Sequence, residues 1–245
     1  GVLLAEADTR VRASGVRFAE SRMAELLGEP TLLVDGTRGP RTLAGGLTEA
    51  VGALGCDLIV FLDVGGDVLA HGDEPGLGSP LCDAVLLAAA EHLRRAGGVP
   101  VLGAIFGIGC DGELTPAEVR SRLAEVEAAG GLGDPPLALE DAVAARLEEA
   151  VEVVPTEASA GALRAHRGEL GEVKIRDGRR TVELTPEAPL TFFFDPGAAI
   201  ASAARLAAAV LDADDLEHAN ELLHGLGVRT ELDWEREQTH RTPAA

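Results

Sequence analysis

Aromatic side chains are nearly missing from this chain: they make up 3% of its 245 residues, with no tyrosine and a single tryptophan, Trp234. Its core must therefore be aliphatic, packed from Leu, Val, Ile and Ala, and the 46% hydrophobic content is ample for one. Basic charge is scarce too. Asp and Glu outnumber Lys and Arg 41 to 21, and Lys174 is the one lysine. A net charge of −20 repels phosphate backbones and anionic headgroups, so neither nucleic acid nor membrane is an expected partner. A small anionic ligand held by local backbone N–H groups remains compatible with that field. The three cysteines, Cys56, Cys82 and Cys110, are an odd set without CxxC spacing. That usage points to a reducing, cytoplasmic compartment, free thiols and, for Cys56 and Cys82, places in the core. No apolar run approaches the ~20 residues of a membrane span, and the opening residues do not read as a signal peptide. The chain begins mid-pattern without a methionine, so a preceding segment is expected. P-loop, HExxH, GxSxG and zinc-ligand spacings are all absent, which removes the simplest assignments.

What is present is an alternation of short apolar runs and longer helical patterns, the pattern of an α/β domain with a mostly parallel sheet. Thr31–Val34 and Asp57–Asp63 read as strands, the second apolar enough to be buried on both faces. Val99–Ile105 and Leu190–Phe194 are further strands. Helices are expected over Arg41–Leu54, from Ser79-Pro80 to Ala96, from Thr115 to Ala129, and over Leu139–Val151 and Pro155–His166. Thr115 and Glu118 have the spacing of a capping box. Glu172–Arg176 and Arg179–Leu184 flank Asp177-Gly178, a two-residue hairpin turn. Pro196–Leu211 and Asp215–Leu226 close the chain as alanine- and leucine-rich helices. One domain over residues 1–245 is expected, with a possible sub-boundary at the Gly/Pro-rich stretch 132–136.

Four segments carry residues suited to chemistry. Asp63-Val64-Gly65-Gly66-Asp67 follows the Asp57–Asp63 strand, where α/β sheets bind ligands. Gly65 and Gly66 let a ligand approach the backbone, and Asp63 and Asp67 suit a divalent cation, a ribose hydroxyl or an amine. The loop runs on through His71, Glu74 and Ser79, long for a βα connection. The plain alternative is a turn with solvated acids, and a solvent-facing imidazole for His71. Asp111 and Glu113 occupy the equivalent loop one unit later. If the strands are neighbours, these acids face Asp63 and Asp67 across one crevice, as Mg²⁺ ligands or as an acid/base pair. Turn building and complementing the next helix's positive end explain them equally well. Glu157 lies in a helix start, with reach to the crevice as the functional alternative. Arg179 and Arg180, beside the hairpin turn, can grip a carboxylate or phosphate, or simply keep the surface soluble.

The blocks Asp63–Ala84, Phe106–Thr115, Val154–Ser159, Ile175–Leu184 and Gly227–Arg236 resemble, in order, those of the "domain of unknown function 1152" family. The resemblance runs from about Arg17 to Arg236. It implies a Rossmann-like fold, with helices on both faces of the sheet and a C-terminal β-hairpin and helices. Family members begin with a glycine-rich strand–turn–helix segment that has no counterpart here, and no activity is carried over. The expectation is an enzyme acting on a small phosphorylated or nucleotide-like metabolite, with Mg²⁺ as possible cofactor. Asp67, Asp111 and Glu113 would be its catalytic acids and Asp63 and Asp67 its metal ligands. Gly65, Gly66, His71, Glu74, Ser79, Glu157, Arg179 and Arg180 would contact the ligand. A non-catalytic ligand-binding subunit and a homo-oligomeric scaffold joined through the C-terminal helices are the alternatives.

Overall fold

The computed structural model describes residues 1–133 and 135–241, the side chains of 239–241 excepted. In chain order its elements are β1 (Val2–Ala5), α1 (Ala19–Leu27), β2 (Thr31–Val34), α2 (Gly39–Leu54) and β3 (Ile59–Val64). A single 3-10 turn (Asp67–Leu69) then leads to α3 (Pro80–Ala96), β4 (Val101–Phe106) and α4 (Pro116–Ala128). Next come β5 (Leu137–Ala138), α5 (Asp141–Val153), α6 (Glu157–His166), β6 (Gly171–Ile175), β7 (Arg180–Leu184) and β8 (Leu190–Phe194). Four helices follow: α7 (Pro196–Ala201), α8 (Arg205–Val210), α9 (Leu216–Gly225) and α10 (Glu231–Arg241).

The protein is mixed α/β, but its main sheet is not mostly parallel. The order is β3-β4-β8-β5, with β3 parallel to β4 and β8 antiparallel to both its neighbours. A parallel neighbour requires a crossover. Helix α3 supplies one between β3 and β4, whereas β8 is inserted late and runs the other way. The pairs β1–β2 and β6–β7 are separate antiparallel sheets.

The Asp57–Asp63 run is also corrected. Strand β3 lies at the sheet edge; Ile59 and Phe61 pack on the core, while Val60 and Leu62 on the opposite face are 37% and 54% exposed. A continuous apolar run cannot distinguish a central strand from an edge strand with one uncovered face.

Local chemistry explains the helix ends nearest the site. Pro116 sits in the first turn of α4, and Thr115 and Glu118 form the reciprocal capping box. Helix α3 starts at Pro80, but Ser79 does not cap it. Its hydroxyl donates instead to Glu113 Oε1 at 2.7 Å. The Glu231 carboxylate accepts from the N–H groups of Leu81 and Cys82 at 3.0 and 2.8 Å, the orphan donors of that first turn. The span Pro196–Leu211 is two helices rather than one. The Ser202 hydroxyl donates back to the Ala198 carbonyl, and Ser202 leaves helical geometry.

The larger core packs α2, α3, α8 and α9 with β4 and Phe194 of β8. A smaller one joins Phe106 and Cys110 to α6 and to Ile175, Val182 and Leu184 of the β6–β7 pair. Cys110 is buried, whereas Cys56 and Cys82 are exposed residues rather than core; all three are free. Leu132 bridges Phe194 and the Gly133 N–H donates to the Phe193 carbonyl, so that segment is stitched to β8. Asp134 lies outside the described residues.

Candidate functional site

The parallel pairing of β3 with β4 sets Asp63 opposite Ile105 and Val64 opposite Phe106, so both acidic loops leave the same sheet edge. They are stitched together: the Gly65 N–H donates to the Phe106 carbonyl, and the Gly109 N–H to the Gly65 carbonyl. Gly65 has φ +146°, and a Cβ there would sit 2.3 Å from Asp111 Cγ. That glycine is what allows the second loop's acid to press against the first loop's backbone.

The result is a group of five carboxylates. Oxygens of Asp63, Asp67 and Asp83 lie within 4.8 Å of one another, as do those of Asp67, Asp111 and Glu113, with Asp67 common to both. Asp67 is 6% exposed and Glu113 4%; Asp63, Asp83 and Asp111 are half-buried. Asp83 was missed by sequence reasoning. It stands in the first turn of α3, four residues before buried Leu87 and seven before buried Ala90. An acid on the apolar stripe of a helix was the available signal.

The five acids are not equivalent. Glu113 is fully engaged: Oε2 accepts from Gly78 and Ser79 N–H at 2.7 and 2.8 Å, and Oε1 from the Ser79 hydroxyl. Arg176 and Arg180 approach Oε1 at 3.6 and 3.9 Å. Asp63 accepts from the Gly66 N–H at 2.7 Å. Asp111 Oδ1 is enclosed and has no hydrogen-bond partner among the described residues. Electrostatics divides them the same way. Burial, reinforced by the neighbouring acids, raises Asp67 to about 12, Asp83 to about 8, Asp111 to about 7 and Asp63 to about 6, all from an ordinary 3.8. Glu113 moves down, because hydrogen bonds from Ser79 and Gly78 outweigh its burial. Such a cluster must hold protons or a positive ligand.

Beside Glu113 opens a cleft of about 570 Å³ lined by Gly76, Gly78, Ser79, Arg176, Arg180 and Trp234. Arg180 is fixed by donating to the carbonyls of Gly76 and Asp111 at 3.1 and 3.3 Å. Trp234, 49% exposed, carries the Arg229 guanidinium over its ring at 3.9 Å. Asp63 and Asp83 instead face a small cavity of about 100 Å³, walled by Phe61, Leu62, Val68 and Phe194.

The other expected site residues lie elsewhere. His71 does not face solvent: its side chain is 7% exposed and its Nε2 is 3.1 Å from Glu125 on α4. Glu74 is buried, accepting from the N–H groups of His71 and Gly72 and from Arg122. Both clamp the long loop onto α4. Glu157 accepts the Arg176 N–H on both oxygens, at 2.7 and 2.8 Å, and so anchors the turn after β6. That turn has four residues, 176–179, rather than two, with Arg176, Asp177 and Gly178 all at positive φ. Arg179 points away, 78% exposed, whereas Arg176 lines the cleft.

A family profile described as Protein of unknown function (DUF1152) matches residues 1–239. The chain belongs to that family. No curated protein matches it, and no solved structure does. Membership in this family brings no activity with it, so function must be argued from the site.

Proposed function

We propose that this member of the family is an enzyme acting on a small phosphorylated or nucleotide-like metabolite, assisted by Mg²⁺. One observation carries the reading: five carboxylates from β3, α3 and the loops after β3 and β4 come together, and one of them, Glu113, lines a cleft with two arginines and a tryptophan. Ligands of open α/β sheets bind beyond strand carboxyl ends. The β3–α3–β4 unit, the part of this sheet that supports a Rossmann-like description, has its acids there. A cation offsets the clustered negative charge, Arg176 and Arg180 supply donors for a phosphate or carboxylate, and Trp234 offers an aromatic face. An acid that burial raises to about 7, as it does Asp111, is poised to serve as general acid near neutral pH. The scaffold alternative rested on the alanine-rich C-terminal helices, yet Ala199, Ala203, Ala204 and Ala207 are buried in the core.

The test is turnover. Purified protein with Mg²⁺ is incubated with a panel of nucleotides and sugar phosphates and followed by phosphorus NMR. Conversion of one of them, abolished in Asp67→Asn, is the expected result. Saturable binding without conversion assigns the chain to the ligand-binding class instead, and neither binding nor conversion across the panel ends the reading.

A further inference from the structure

The turn after β6 adopts a conformation that its own hairpin does not require. Arg176 and Asp177 have φ +52° and +55°, and the Gly178 N–H donates across them to the Ile175 carbonyl at 3.0 Å. A turn with positive φ at both central residues is cheap for Gly, Asn or Asp. Asp177 fits that preference and Arg176 does not, because its Cβ and long side chain make the left-handed region costly. Among the described residues these two are the non-glycines held at positive φ. Such backbone persists where its surroundings over-determine it, and it gathers at binding sites.

Glu157, in the first turn of α6, is what holds it: both its oxygens accept the Arg176 N–H, at 2.7 and 2.8 Å. Glu157 itself stays outside the cleft of about 570 Å³, whereas Arg176 lines it. There the Arg176 guanidinium makes no hydrogen bond among the described residues. It comes within 3.6 Å of Glu113 Oε1, but that carboxylate already accepts three hydrogen bonds from Gly78 and Ser79. Glu231, another acid of the cleft wall, is turned to the N–H groups of Leu81 and Cys82. Arg180 differs: its side chain is 25% exposed against 46% for Arg176, and it donates to two carbonyls. Of the two arginines, Arg176 therefore keeps its planar fork of donors open to a ligand.

We propose that Arg176 grips the phosphate of the cleft's ligand, and that Glu157 is its positioning residue, acting through the Arg176 backbone without touching the ligand. The inference rests on the function proposed above and deepens it. It assigns the anionic group to one arginine, leaves Arg180 as part of the cleft wall, and gives the strained turn a purpose.

The test uses inorganic phosphate alone, the full chain and isothermal titration calorimetry in EDTA. Wild type should show one saturable phosphate site in the millimolar range. Arg176→Gly removes the guanidinium yet suits a φ of +52°, so phosphate affinity should fall at least tenfold while the melting temperature holds or rises. Glu157→Gln removes a negative charge, which by simple attraction would tighten phosphate binding. As the loss of a positioning residue it should instead weaken binding several-fold, and change nothing further in the Arg176→Gly background. Arg41→Ala, exposed on α2, should leave affinity unaltered. Phosphate binding that survives Arg176→Gly overturns the inference and leaves the function reading standing, with the anion held elsewhere in the cleft. Tighter binding in Glu157→Gln, or equal weakening in both backgrounds, overturns the positioning role. Absence of saturable phosphate binding in wild type overturns the inference as well. Phosphate binding that depends on Arg176, without conversion of any nucleotide or sugar phosphate, upholds it and ends the enzyme reading.

Discussion

Replacing Asp67 with asparagine separates a functional acid from a structural one by the sign of a stability change. In the unfolded chain at pH 7 this carboxyl is ionised; in the fold, burial and then the charges of Asp83, Asp63, Asp111 and Glu113 keep the proton on. Holding it protonated costs about 1.4 kcal/mol for each pH unit above the ordinary value, a ceiling of about 4 kcal/mol at pH 7. Asparagine has the same shape, carries no charge and can donate to Asp83, so Asp67→Asn removes most of that cost. At roughly 2–4 °C per kcal/mol for a chain of this size, a gain of even half the ceiling raises the melting temperature by several degrees. Were Asp67 a loop cap, the substitution would instead cost ~1 kcal/mol and lower it. Thermal unfolding by circular dichroism in EDTA reads the sign directly. A lower melting temperature with Mg²⁺ affinity intact would refute the reasoning and, with it, the placing of Asp67 at the centre of the site.

Gly65→Ala should push Asp111 off the first loop, because its Cβ would lie 2.3 Å from Asp111 Cγ at a φ of +146°. A loss of about 2 kcal/mol or more in urea melts is expected, and a change under about 0.5 kcal/mol would show that the loops tolerate separation. Asp111, raised to about 7 by burial and by Asp63, retains in the fold a proton that the unfolded chain releases near pH 4. Its stabilising contribution is therefore full below about pH 4 and is lost as pH rises toward 7. In EDTA, urea melts should show stability falling between pH 5 and 7, less steeply in Asp111→Asn; identical slopes would contradict this. Eight residues along α3 from Asp83, Glu91 is 1% exposed between Arg94 and Arg95, bonded to each at 2.6 Å. Glu91→Ala should cost about 2–3 kcal/mol and leave Mg²⁺ binding unaltered, and a loss of binding in a folded variant would show that the two regions are coupled.

Much of the crevice was legible because its signals are local. An apolar strand followed by Asp63-Val64-Gly65-Gly66-Asp67, and a second by Asp111 and Glu113, place acids at one sheet edge once the strands pair. The Thr115–Glu118 capping box is likewise written within four residues. What escaped depends on distant partners. That Asp83 joins the cluster depends on where α3 packs against β3, and Glu113 is tied to a turn 34 residues away in the sequence. Glu231 completes the start of α3 from 150 residues further on, which no local pattern could announce. The antiparallel β8 and the exposed face of β3 depend on which strand becomes the neighbour, and that is a property of the whole sheet. Arg176 rather than Arg179 lines the cleft because three consecutive residues with positive φ lengthen the turn.

The proposed binding of a phosphorylated metabolite in this cleft, beside a cation held by the adjoining carboxylates, is reported directly by Trp234. It lines the cleft, and with no tyrosine in the chain it is the sole source of near-ultraviolet protein fluorescence beyond phenylalanine. The decisive measurement is its emission during titration with nucleotides and sugar phosphates in the presence of Mg²⁺. A saturable change is expected for at least one ligand, dependent on Mg²⁺ and lost in Asp67→Asn. Flat emission across the panel, with no shift in melting temperature, would contradict it.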